Sequence, residues 1–271
     1  MTDRYAIVGN PIAHSKSPEI HAAFARQTGE DLRYERLLAP LDEFGPAVAA
    51  FRAAGGGGLN VTLPFKGEAY RLAHEVTGRA RVAEAANTLR FDGAQVYGDN
   101  TDGVGLVRDL VGNLGVGIEG RRILIVGAGG AARGVIEALL DAQPAELVVV
   151  NRTGERAAAL ERQFAGRVQG TGFEALPRHG FDTVINASSA GLAGEAPPLS
   201  ESAFAPGATA YDMVYGQGET PFLAFARRTG AARLADGLGM LVEQAAESFF
   251  VWRGVRPATA PVLAMLRAGE R

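Results

Sequence analysis

The feature that most constrains this chain is Gly127-Ala128-Gly129-Gly130-Ala131-Ala132, set between an apolar run at 123–126 and an alanine-rich stretch that reads as a helix to about Asp141. A Gly-x-Gly-x-x-Ala turn between a buried strand and a helix suits a dinucleotide. Gly127 permits the tight turn, Gly129 lets the backbone approach a pyrophosphate, and Ala132 lets the helix pack closely on the strand. The helix start also offers free N–H groups and the positive dipole end to phosphate. Such a turn also occurs without a ligand. Here a second apolar run, 147–150, follows at the distance of a βαβ unit, which favours the binding reading. The second strand leads into Asn151-Arg152-Thr153-Gly154-Glu155-Arg156. An enzyme that selects NAD carries an acid there for the ribose 2′-hydroxyl. Two arginines and a hydroxyl instead suit a 2′-phosphate, so the reading is NADP. The same residues also read as a solvated helix start capped by Thr153, and the two readings are compatible.

Elsewhere short apolar runs alternate with helical stretches, which argues for an α/β protein with mostly parallel sheets. Strands are expected at 5–8, 34–38 and 59–61, with helices around 18–27 and 41–53. A hairpin is expected over 88–98, with its turn at Asp92-Gly93-Ala94. A helix should run from Asp102 to about Leu114. Further strands are expected at 183–185 and 209–212, and helices at 240–253 and 257–266. The glycine run 55–58 reads as a flexible turn. At 271 residues the chain accommodates two domains.

Composition narrows the chemistry. There is no cysteine, which removes disulfides, thiolate metal sites and cysteine nucleophiles. The four histidines, His14, His21, His74 and His179, show no metal-ligand spacing, so no metal is expected. Net charge is −3 with no basic block, so neither nucleic acid nor a membrane surface is an expected partner. No apolar run is long enough to span a bilayer, and residues 1–9 lack the apolar core of a signal peptide. The expectation is a cytoplasmic protein, monomer or homodimer. Of 27 basic side chains only Lys16 and Lys66 are lysine. Arginine keeps its proton where lysine can give one up, so a retained lysine hints at proton transfer.

Polar clusters sit where the first strands end, the ligand-binding side of an α/β sheet. Gly9-Asn10-Pro11-Ile12-Ala13-His14-Ser15-Lys16-Ser17-Pro18 places two hydroxyls, Ser15 and Ser17, where they can hold a carboxylate. Ser17 before Pro18 also reads as a helix N-cap. In Asn60-Val61-Thr62-Leu63-Pro64-Phe65-Lys66, alternation places Asn60 and Thr62 on one face with Lys66 just beyond. Ala86-Asn87-Thr88 and Asn100-Thr101-Asp102 add amides, hydroxyls and an acid, although Asp102 alone would read as a helix cap. This is equipment for a polyhydroxylated acid.

Together with Asp212-Met213-Val214-Tyr215, Thr220-Pro221, Gly237 and Met240-Leu241-Val242-Glu243-Gln244-Ala245, these stretches resemble the shikimate dehydrogenase family over nearly the whole chain. The resemblance implies NADPH-linked reduction of 3-dehydroshikimate to shikimate in aromatic amino-acid biosynthesis. It implies a substrate-binding α/β domain over 1–102, completed by 238–271, and a Rossmann-type NADP domain over 103–237. Ser15, Ser17 and Tyr215 would hold the carboxylate. Asn60, Thr62, Asn87, Asp102 and Gln244 would bind ring hydroxyls. Lys66 would give the proton, partnered by Asp102. Gly127, Ala128, Gly129, Gly130, Ala131, Asn151, Arg152, Thr153, Arg156, Met213 and Gly237 would line the NADP site. The alternatives are a quinate/shikimate dehydrogenase of broader substrate or cofactor choice and a non-catalytic NADP-binding regulator. Lys66 and Asp102 together argue against the regulator.

Overall fold

A computed structural model of the chain describes residues 2–188, 195–216 and 218–269. The first stretch runs β1 (Asp3–Gly9), α1 (Ser17–Thr28), β2 (Leu32–Leu38), α2 (Phe44–Ala53), β3 (Gly56–Val61), α3 (Lys66–Leu72), β4 (Glu75–Val76), α4 (Gly78–Ala83), β5 (Thr88–Asp92), β6 (Gln95–Asp99) and α5 (Asp102–Arg108). There follow β7 (Arg122–Val126), α6 (Gly130–Asp141), β8 (Glu146–Val150), α7 (Gly154–Gln163), β9 (Gln169–Thr171), β10 (Phe181–Asn186), β11 (Phe204–Asp212), α8 (Pro221–Arg228) and β12 (Arg233–Ala235). Helices α9 (Leu238–Arg253) and α10 (Ala260–Ala268) close the chain. No helix among the described residues is long and apolar enough to cross a membrane.

Two compact units result, one of Met1–Gly105 with Leu241–Arg271 and one of Leu106–Met240. The first is built on a sheet of order β2-β1-β3-β5-β6-β4. Its β1 is parallel to β2 and β3, while β5 runs antiparallel to β3 and β6. The alternating apolar residues of β1 and β3, Ala6, Val8, Leu59 and Val61, pack with Phe44, Val48, Phe51 and Phe65 into one core. The second unit is a fully parallel sheet of order β12-β11-β10-β7-β8-β9. That order reverses direction between β7 and β10, the arrangement of a dinucleotide-binding fold. Strands buried on both faces need continuous apolar runs, and Ile123–Val126 and Leu147–Val150 supply them.

Three local expectations need correcting. The glycine run is not a flexible turn, because only Gly55 turns and Gly56–Val61 is strand β3. The glycines serve close packing. A Cβ on Gly56 would enter the Phe51 ring, one on Gly57 would press on the Tyr5 ring, and one on Gly58 would meet Leu89 O and the Trp252 indole. The helix from Asp102 stops being α-helical at Arg108 and continues as a π turn over Asp109–Asn113. There the Asp109 carboxylate is buried and accepts hydrogen bonds from Tyr211 Oη at 2.6 Å and Asn113 Nδ2 at 2.9 Å. Helix α2 begins at Phe44, since residues 41–43 form the turn before it.

Candidate active site

The hydroxyl pair sits where β1 runs into α1. Ser17 is buried and Ser15 half-buried. Their oxygens are 3.2 Å apart, and Ser15 Oγ also accepts the Ser17 N–H at 3.3 Å. The helix cap is therefore not Ser17, as expected from Ser-Pro. Lys16 occupies the N-cap without a capping side-chain bond, and Ser17 is already in the first turn. Arg36 fixes the loop by donating to Ser15 O and pairing with Glu19.

Lys66 opens α3. The turn before it is held by Phe65, which is fully buried and stacked on Phe44 at 5.0 Å. The Lys66 ammonium lies 2.6 Å from Asp102 Oδ2. Its side chain is 25% exposed and that of Asp102 only 8%, so the pair is reachable by a ligand yet largely withdrawn from water. Asp102 Oδ1 accepts from Asn87 Nδ2 at 2.8 Å. Asp102 thus serves Lys66 and Asn87, and its carboxylate is not the helix cap that sequence alone suggests. Asn87 Nδ2 also reaches Thr101 Oγ1 at 2.9 Å and Gln244 Oε1 at 3.1 Å. Asn60 ends deeper than its strand position implied. It is buried, accepts from Tyr34 Oη at 2.7 Å and donates to Asn87 O at 3.2 Å and Ser248 Oγ at 2.9 Å. Thr62 lies one residue past β3 and is half-buried.

A second brace, not anticipated from sequence, holds the Asn100-Thr101-Asp102 turn. Arg79 grips Asp99 through Nε at 2.7 Å and Nη2 at 2.6 Å and reaches Glu247 Oε1 at 3.1 Å. Asp99 Oδ1 accepts the Asn100 N–H at 2.7 Å, and Asn100 Oδ1 accepts the Asp102 N–H at 3.1 Å. Burial alone would lower the Arg79 pKa, but hydrogen bonds and charge from Asp99 and Glu247 outweigh it and raise it.

In the second unit the residues expected to line a nucleotide site lie at the carboxyl ends of the parallel strands. Gly127 follows β7 with φ +108°, and a Cβ there would press on the backbone of Ala187 and Ser188 at 3.1 Å. Gly129 is the N-cap of α6 with no side chain to cap it, and the space where Cβ atoms of Gly129 and Gly130 would stand is open. Ala131 is exposed, while Ala132 is fully buried against the sheet. Ala128 N–H donates to Asn151 Oδ1 at 3.3 Å, joining the ends of β7 and β8. Arg152 and Arg156 are exposed, and their guanidinium groups make no ion pair among the described residues. Thr153 stands at the N-cap of α7, but its hydroxyl makes no capping bond, contrary to the expected cap. Met213 follows β11 and Gly237 follows β12. They touch so closely that a Cβ on Gly237 would strike Met213 O. Asp212, fully buried, anchors that loop by accepting from Thr220 Oγ1 at 2.6 Å and Val214 N–H at 3.1 Å. Burial raises its pKa against those hydrogen bonds. Tyr215 is half-buried in the same loop. An uncapped helix start faced by open space, and a neighbouring strand end that leads into two exposed guanidiniums, fit a pyrophosphate and a 2′-phosphate.

The shikimate dehydrogenase substrate-binding-domain model matches residues 7–89, the shikimate/quinate 5-dehydrogenase model 109–193, and the shikimate 5′-dehydrogenase C-terminal-domain model 237–267. The NADP(+) shikimate dehydrogenase of Dechloromonas aromatica strain RCB is 62% identical over 270 residues, covering 99% of this chain and 98% of that protein. The chain belongs to the shikimate dehydrogenase family. Among solved structures, an Ael1 enzyme from Pseudomonas putida superposes with a TM-score of 0.92 at 47% identity, covering 98% of each chain. The shikimate 5-dehydrogenase of Thermus thermophilus, solved with NADP(H) and shikimate, gives 0.88 at 33% identity and covers 98% of this chain and 99% of that one. Shikimate dehydrogenase membership thus extends over both units and α9–α10.

What sequence reasoning missed behind the first layer were Tyr34, Arg79, Glu247 and Ser248, while Thr88, Asp99 and Thr101 stood in its polar clusters without the supporting contacts they make. One signal was available. Ser248 lies four residues after Gln244 and therefore on the same helix face.

Proposed function

We propose that this chain is an NADP-dependent shikimate dehydrogenase. It catalyses the reversible reduction of 3-dehydroshikimate to shikimate, with the first unit taking the ring acid and the second the nucleotide. The observation that carries the reading is the Lys66 ammonium held 2.6 Å from a nearly buried Asp102 carboxylate that Asn87 orients from its other side.

NADPH, when bound, supplies the hydride for the carbonyl carbon. In the second unit, the backbone of Gly127–Ala131 and the start of α6 hold the pyrophosphate. Arg152, Arg156, Thr153 and Asn151 hold the 2′-phosphate and its ribose, and Met213 with Gly237 closes the nicotinamide side. In the first unit, Ser15 and Ser17 donate their hydroxyls to the substrate carboxylate. Thr62, Asn87, Asp102 and Gln244 meet the ring hydroxyls. Asn60 supports them from behind, since its amide already serves Tyr34, Asn87 and Ser248. As charge builds on the carbonyl oxygen, Lys66 Nζ gives it a proton, leaving neutral lysine and an alcohol. Asp102 keeps the ammonium aimed until then. In the oxidising direction the same nitrogen takes the hydroxyl proton back.

Steady-state kinetics with shikimate and quinate, each with NADP and NAD, test the reading. Turnover with shikimate and NADP should exceed the other three combinations. Equal turnover of quinate would shift the assignment to the broader enzyme. No turnover of either acid, with NADP still bound, would replace it with the regulator.

A further inference from the structure

The hydroxyls behind Asn87 have an order that their partners dictate. Asn87 Oδ1 faces the Thr101 N–H at 2.9 Å, a group that only donates, and Asn87 Nδ2 faces the Asp102 carboxylate, which only accepts. Those two contacts fix the orientation of the carboxamide. Asn60 is fixed in the same way, because its Nδ2 faces the main-chain oxygen of Asn87. Thr88 Oγ1 lies 3.0 Å from Asn87 Oδ1, so Thr88 donates its single proton there. The 2.7 Å contact between Thr88 and Ser248 then needs Ser248 as its donor. Ser248 Oγ accepts from Asn60 Nδ2 at 2.9 Å, and Asn60 Oδ1 accepts from Tyr34 Oη at 2.7 Å. The opposite sense would send the Ser248 proton to Gln244 O at 3.0 Å, four residues back in α9, and would turn the Thr88 proton away from Asn87 Oδ1, leaving that oxygen to the Thr101 N–H and hydroxyl. The forward sense gives one head-to-tail chain, Tyr34 to Asn60 to Ser248 to Thr88 to Asn87 to Asp102. Hydrogen bonds aligned in this way polarise one another.

We propose that Thr88 and Ser248 are positioning residues for the Lys66–Asp102 pair. Their hydroxyls hold the Asn87 carboxamide with its NH2 toward Asp102, which keeps the carboxylate oriented on the Lys66 ammonium. Both side chains are fully buried, so they act through Asn87 and not on the substrate. The inference rests on the reading of Lys66 as proton donor.

The test uses the full-length chain with shikimate and NADP. Thr88→Val removes the hydroxyl at nearly constant volume, and Thr88→Ser keeps it while losing a methyl group. Thr88→Val should lower kcat about tenfold, the effect of one hydrogen bond to a charged network, with KM for shikimate within about twofold. Thr88→Ser should keep kcat near wild type even if its melting temperature falls. Equal kcat for the two variants, or a loss confined to KM, would overturn the proposal. Ser248→Ala introduces no extra bulk and covers the case in which Thr88→Val fails to fold. It should lower kcat by a similar factor, and unchanged kcat in the folded variant would overturn the proposal as well. Where both singles fold, the double variant should lose little beyond either one, because both act through one chain. Lys66→Ala, run alongside, separates the two readings. Full turnover without Lys66 removes the proton-donor assignment itself. Lost turnover there, with normal Thr88→Val, removes only the positioning role.

Discussion

Acid should destabilise this protein through His21. The imidazole lies on α1, fully buried and stacked on Tyr34 at 4.2 Å, with Phe24, Phe249 and Trp252 around it. Neither ring nitrogen has a hydrogen-bond partner among the described residues. Burial drives its pKa from 6.5 down to about 3, with the nearby Asn60 amide pulling the other way. The folded chain therefore keeps His21 neutral at pH values where the unfolded chain has already taken up a proton. Between pH 6.5 and about 3 the unfolded state binds more protons, so this stability is fully present above 6.5 and is lost as pH falls. The loss is about 1.4 kcal/mol per pH unit, on the order of 4–5 kcal/mol over the window, a large share of a typical folding free energy. Urea unfolding at about pH 7.5, 6, 5 and 4, for wild type and His21→Phe, measures it. The ring exchange adds an offset at every pH, so only the slopes matter. Between about pH 6 and 4 the variant should lose roughly 3 kcal/mol less than wild type. Parallel stability curves would refute the reasoning.

Other outcomes follow from the site. Lys66→Ala should lower kcat by about 10²–10⁴-fold with a small change in KM, and Lys66→Arg should not restore it, because guanidinium keeps its proton. An arginine variant with near-normal kcat would reduce Lys66 to a charged anchor. Replacing Arg152 and Arg156 with alanine should weaken NADPH about tenfold or more per arginine and leave NADH nearly unaffected. A retained NADP preference in the double variant would show that another group selects the cofactor. Ser15→Ala and Ser17→Ala should raise KM for shikimate but not for NADP. Any capping cost, about 1 kcal/mol, belongs to Ser15, whose oxygen accepts the Ser17 N–H. A fall in melting temperature with normal kinetics would make the pair structural.

The fold was legible where local chemistry decided it. The buried runs of β7 and β8, the Gly127 turn and the Gly93 hairpin each depend on neighbours in sequence. Lys66 stood out by scarcity, although a turn separates it from the strand that carries Asn60. The supporting network was not legible, because its contacts cross long separations without a spacing rule. Arg79 meets Asp99 across 20 residues and Glu247 across 168, and Thr88 meets Ser248 across 160. Composition misled at the glycine run. Four glycines normally signal a loop, whereas Gly56, Gly57 and Gly58 are strand residues whose missing side chains make room for rings supplied from elsewhere in the chain. Ser17 misled for a different reason: α1 starts one residue earlier than Ser-Pro implies, with Lys16 at its N-cap and Ser15 Oγ accepting the Ser17 N–H.

That glycine strand has a consequence for how the site tolerates change. Gly58 leaves room for the Trp252 indole, whose Nε1 donates to Leu89 O at 2.9 Å and whose ring stacks on Tyr5 at 4.6 Å. Trp252 is on α9, the helix that also presents Gln244 and Ser248 to Asn87 and Thr88. A single methyl group at Gly58 would push against the seat of that helix and tilt or slide it. The damage would surface about two turns away along α9, as a misplaced Gln244. Changes at Gly58 will therefore look like active-site lesions in an assay, although Gly58 itself packs against Leu89 and Trp252.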